Sequence, residues 1–161
     1  MIDNKIYTSF LLKITDEFIA QDNYIKDLTI EELLQMIDKE INSEEFLERI
    51  ENGLYGEYIP EDTDSIVYFK QVESHISMPL TSCIKIESVY LENDTLYVQY
   101  KILDTPFGCI AYDSIQNGKI PCFSLNHTIY INIKTNKAVS ISFNSISISA
   151  FLDEEEIEKY I

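Results

Sequence analysis

Basic residues are scarce in this chain of 161 residues: 12 lysines and arginines stand against 28 aspartates and glutamates, a formal net charge of −16. Such a field repels phosphate backbones and anionic lipid headgroups, so neither nucleic acid nor a membrane surface is an expected partner. Histidine is scarcer still, with only His75 and His127 to serve acid–base chemistry near neutral pH. Glycine and proline number four each and tryptophan is absent. There is no phosphate-cradling Gly-rich loop, no HExxH, no CxxC and no EF-hand loop. The cluster Glu61-Asp62-Thr63-Asp64 lacks the alternating ligands, the loop glycine and the distal glutamate of a calcium site, and reads as a solvated acidic loop. Cys83, Cys109 and Cys122 are odd in number and in no metal-ligand spacing, which predicts buried reduced thiols. No cofactor and no metal is expected. No run approaches the roughly 20 apolar residues of a membrane span, and the opening ten residues lack the basic-then-apolar layout of a signal peptide. The expectation is a soluble intracellular protein.

What the chain does have is apolar and aromatic residues, 45% and 12% of the total, enough for one domain with a real core over 1–161. Ile6, Tyr7, Phe10, Leu11, Leu12 and Ile14 form a β-rich run. Thr29 and Glu32 fit a capping box, and Ile30, Leu33, Leu34, Ile37 and Ile41 then share a helical face. A second short helix is expected with Phe46, Leu47 and Ile50 inward and a stop at Asn52-Gly53. Helical spacing therefore covers about 28–52. From Tyr55 to Phe151, short β-branched and aromatic runs take over, and residues 152–161 form an acidic helical tail. Ile84–Tyr90 and Thr95–Ile102 read as a hairpin, and Ile129–Ile133 and Ala138–Phe143 as another around Thr135-Asn136. Tyr112–Asn117 reads as a short helix ending at Gly118. Segregated helices and strands predict an α+β fold, with a β-barrel-like core of short, mostly antiparallel strands and flanking helices.

Four stretches, in order, resemble the prohead (head-maturation) serine proteases of tailed bacteriophages, a family related in fold to the herpesvirus assemblin barrel. Leu54-Tyr55-Gly56-Glu57-Tyr58-Ile59-Pro60 is similar to the family's Gly-Glu-Leu-x-His-Pro segment, shortened by one residue and without its histidine. Asn93 to Tyr97, running into Lys101-Ile102-Leu103-Asp104-Thr105-Pro106-Phe107-Gly108, resembles its hairpin and following turn. Ile115 to Ser124 is similar to the glycine and strand leading to the nucleophile, which puts Ser124 at the nucleophile position. Val139 to Ile146 resembles the strand carrying the family's aspartate, where this chain has Asn144.

The resemblance implies a protein of the phage head, made in the bacterial host cytoplasm and residing in the prohead or virion. Its partners would be scaffold or capsid proteins, which family members cleave, often after glutamate, and a homo-oligomer is possible. The chemistry points to a degenerate site. A serine hydroxyl needs a positioned base, and neither Tyr58 nor Ile59 accepts its proton near pH 7. Asn144 can orient an imidazole but cannot offset an imidazolium with a full charge, a change that costs about 10⁴ in rate in a triad. Leu125-Asn126-His127 follows the serine where the family has arginine. The leading expectation is thus a pseudoenzyme working through protein contacts. Two alternatives stand beside it: an active serine endopeptidase that pairs Ser124 with His75 as substitute base, and a virion decoration protein or inhibitor of a host protein built on the same fold.

Overall fold

The computed structural model describes residues 2–58 and 81–157. Its elements run β1 (Tyr7–Lys13), α1 (Asp16–Ala20), α2 (Ile30–Ile41), α3 (Glu44–Gly53), β2 (Tyr55–Glu57), β3 (Ser82–Glu92), β4 (Thr95–Ile102), α4 (Pro106–Gln116), β5 (Ile120–Asn132), β6 (Lys137–Leu152) and α5 (Glu154–Ile157). Helices and antiparallel sheets together make an α+β fold. No helix among the described residues is long and apolar enough to cross a membrane.

The helices start where side chains can satisfy their free N–H groups. Thr29 Oγ1 accepts from Glu32 N, and Glu32 Oε1 accepts from Thr29 N, both at 3.2 Å, which closes the expected capping box. Leu33, Ile37 and Ile41 are then buried on one face of α2. In α3 only Phe46 is fully buried; Leu47 is 51% exposed, against the inward position its sequence suggested, because it falls one residue round the helix from Phe46. Helix α4 begins six residues earlier than expected. Thr105 caps it through a 2.9 Å bond from Gly108 N, and Pro106 sits in the first turn, where its missing N–H costs nothing.

Strand order is β1-β4-β3-β2 in one sheet, while β5 and β6 form a long two-stranded ribbon. The β3–β4 hairpin turns at Asn93, whose φ of 59° lies in the left-handed region that asparagine tolerates. Ile84, Ile86, Leu96, Val98 and Tyr100, all at most 1% exposed, line the inner face of the first sheet. Phe143 and Ile146 from the ribbon join the same apolar cluster as α2 and α3, with Phe46 edge-on to Phe143 at 6.1 Å between ring centroids.

The barrel expected from the sequence does not close. The sheets approach at two corners, β2 beside β6 and β1 beside β5, without a ladder between them among the described residues. Side chains use the hydrogen-bonding groups of the β6 edge instead. Arg49 donates to the carbonyls of Phe143 and Asn144 at 2.5 and 2.6 Å, and Phe143 N donates to Glu40 Oε2 at 2.6 Å. At the β2–β6 corner only glycine fits: a Cβ on Gly56 would stand 2.5 Å from the carbonyl oxygen of Ile146.

Candidate functional site

Ser124 lies on β5 directly opposite Ser147 of β6. Exposed and half-buried residues alternate along β5, so Ser124, Asn126, Thr128 and Tyr130 point outward while Leu125, His127 and Ile129 turn toward the body of the molecule. Ser124 makes no side-chain hydrogen bond among the described residues. Ser147 is half-buried and its Oγ accepts from Glu57 N at 3.2 Å. The Gly56-Glu57-Tyr58 stretch therefore lies against β6, the partner strand of the one that carries Ser124, and brings together two segments far apart in the chain.

What this stretch offers beside that pair is not a free base. The Glu57 carboxylate already accepts from Thr81 Oγ1 at 2.6 Å. Tyr58 packs edge-on against Phe151, with ring centroids 4.9 Å apart. Below them Cys83 is fully buried, its Sγ 3.5 Å from the Gly56 carbonyl, and burial pushes its thiol up to about 12. Ser82 Oγ is buried without a hydrogen-bond partner among the described residues.

Asn144 does not join Ser124. It is the extra residue of a bulge facing the Asn126–His127 step, roughly 7–10 Å along the ladder at about 3.3 Å per residue. Its amide Nδ2 donates to Thr128 Oγ1 at 2.8 Å, further from the serine still. His127 is three residues beyond Ser124 on the opposite face of the strand, so the strand itself separates imidazole and hydroxyl. His75 and Ile59 lie outside the described residues. Among the described residues no imidazole faces Ser124, and no three His, Cys, Asp or Glu side chains come together as a metal site. Sequence reasoning missed the parts played by Thr81 and Ser147. The alternating serines at 145, 147 and 149 were the available sign that β6 presents hydroxyls on one face.

No protein-family model matches the chain, and no curated protein matches it. A solved structure does. The chain is similar in its course to the capsid assembly protease of bacteriophage T4, gp21, with a TM-score of 0.44 and 12% identity over 93% of this chain and 80% of that one. This likeness concerns the path of the backbone and assigns no role to any residue here.

Proposed function

We propose that this chain is a phage head-assembly protein with a prohead-protease-like fold and a degenerate hydrolytic site, working through contacts with scaffold or capsid proteins inside the prohead in the host cytoplasm. The sequence resemblance in four ordered stretches supports the family reading. One observation carries the loss of hydrolysis: among the described residues no imidazole faces Ser124, His127 lies on the opposite face of β5, and the segment aligned with the family's base supplies Tyr58, packed on Phe151, in place of a histidine. A hydroxyl without an oriented base remains protonated near pH 7 and is a weak nucleophile. Asn144, bonded to Thr128, adds no charge to stabilise a cation.

The second reading, a serine endopeptidase using Ser124 with His75, is favoured by the outward exposure of Ser124. Treatment with a fluorophosphonate probe, and co-expression with the phage scaffold and capsid proteins followed by intact-mass measurement, separate the two. The degenerate site predicts no labelling and identical masses for wild type and Ser124→Ala, with scaffold or capsid protein retained on pull-down. Labelling or processing that disappears in Ser124→Ala establishes the endopeptidase and rejects our proposal.

A further inference from the structure

Helix α2 does not lie flush on the β5–β6 ribbon. Near its turn into α3 a cleft of about 260 Å³ opens between them, with Met36, Glu40, Glu45, Tyr130, Val139 and Ile141 in its walls. The cleft continues along α2 past Glu32 and Gln35 to the hairpin end of the ribbon, where Asp27 and Lys137 line it. Four carboxylates, Asp27, Glu32, Glu40 and Glu45, thus stand along this groove against two ammonium groups, Lys39 and Lys137. Glu40 is already committed, since its Oε2 accepts from Phe143 N at 2.6 Å. Glu45 is exposed and joins no ion pair among the described residues. In the same cleft Tyr130 and Val139 are 52% and 56% exposed. Apolar surface beside an uncommitted carboxylate suits the two parts of a lysine or arginine, whose carbon stem covers the one while its head meets the other.

The cleft also meets an open strand edge. Phe143 turns its N–H to Glu40 and its C=O to Arg49, so both groups point away from β5. The ladder runs without a shift from Phe143 to Ser140, and main-chain groups change direction at each residue, so Ile141 points its N–H and C=O the same way as Phe143. The Ile141 side chain belongs to the core, which leaves its main chain as its part of the cleft wall. No main-chain group meets that N–H or C=O from across the cleft among the described residues. An edge left open in this way is a template for a further strand.

We infer that this groove docks an extended, basic segment of a partner protein, which pairs its main chain with β6 at Ile141 and lays a lysine or arginine over Tyr130 toward Glu45. An acidic segment would be opposed by the carboxylates of the groove. A purely apolar one would desolvate Glu45 with nothing to pair it. The twelve residues of α2, at about 1.5 Å each, give the groove a length of about 18 Å, enough for a strand of about five residues. So short a contact falls below the size of a stable complex, and micromolar binding is expected. The inference rests on the proposed work through protein contacts and adds the chemistry of the partner.

Fluorescence anisotropy tests this with a labelled peptide of about eight residues, valine alternating with lysine, and protein from about 1 to about 500 μM. Wild type is expected to bind saturably. Glu45→Lys raises the dissociation constant at least tenfold, whereas Asp113→Lys, an equal change of charge on α4, raises it less than about threefold. The fully N-methylated peptide keeps its charges but cannot donate to a strand edge, and binds at least tenfold more weakly. If Glu45→Lys loses its far-UV circular dichroism, Tyr130→Ala takes its place. A wild type that binds no peptide, an unchanged affinity in the cleft variant, an equal loss in Asp113→Lys or undiminished binding of the methylated peptide overturns the inference. The proposed function fails on other readouts, serine labelling or a pull-down that retains no scaffold or capsid protein. Retention that Glu45→Lys leaves untouched rejects the groove and keeps that function.

Discussion

The two sheets of this protein obey one pattern of alternation and reach opposite outer surfaces. In the four-stranded sheet the inner residues of β3 and β4 are sealed in the core while Lys85, Glu87, Gln99 and Lys101 face outward, with Lys101 and Glu87 3.9 Å apart. In the β5–β6 ribbon the inner residues of β6 are buried but those of β5 only half-buried, and the outer ones between Ser124 and Tyr130 and between Val139 and Ser149 are uncharged. The first sheet stabilises the fold and tolerates water on its back. The second contributes less to the core and displays a uniform hydrogen-bonding surface, on which Ser124 is one hydroxyl among several. Solubility explains the first outer face but not the second.

Substitutions that separate these roles sharpen the contrast. The largest effect is expected for Leu96→Ala, on an inner strand of the first sheet and fully buried: a loss of about 2–5 kcal/mol in urea unfolding, from lost transfer energy and the cavity left behind. Arg49→Ala, which frees the two carbonyls on the β6 edge, is expected to cost about 1–3 kcal/mol, with partial recovery in Arg49→Lys. A comparable loss for Arg49→Lys would show that the forked geometry, not the charge, holds the edge.

Cys83 gives a smaller effect that depends on pH. Burial raises its folded pKa from an ordinary value of 9.0 to about 12, so the folded state keeps a proton that the unfolded chain releases. Its contribution is complete below pH 9 and is lost as pH rises toward 12, by roughly 1 kcal/mol per pH unit. Urea midpoints at pH 8 and pH 10 measure this, and Cys83→Ala should flatten the difference. Burial raises the pKa of Tyr100 as well, which steepens the loss at the alkaline end. Native alkylation should modify exposed Cys109 first and Cys83 last. The smallest effect is expected for Ser124→Ala, within about 0.5 kcal/mol, because the hydroxyl is exposed and makes no bond among the described residues. A loss above about 1 kcal/mol would place Ser124 in the stabilising framework rather than on display.

Much of this organisation was legible before the structure. Helix α2 declares itself through Thr29, Glu32 and the spacing of Leu33, Ile37 and Ile41, since capping and period agree. The β3–β4 hairpin is equally plain from alternation around Asn93-Asp94. The ribbon was recognised only at its tip, as Ile129–Ile133 and Ala138–Phe143, because bulges at three places shift the register and serine and asparagine at outward positions resemble loop composition. Helix α4 hid behind Pro106, a breaker inside a helix but an acceptable first residue. At the candidate site, Gly56-Glu57-Tyr58 meets β6 at Ser147, the strand paired with that of Ser124, and motif order did not reveal that contact. Nor did it reveal that Asn144 turns toward Thr128, since a single bulge residue decides that direction.

Gly56 shows how a motif can carry two messages. Its missing side chain lets β2 touch the Ile146 carbonyl at the corner between the sheets, a requirement that would hold with or without a reaction nearby. A glycine at this corner therefore reports architecture and, by itself, no chemistry. A sequence pattern anchored on such a glycine gathers folds, and does not by that alone gather activities.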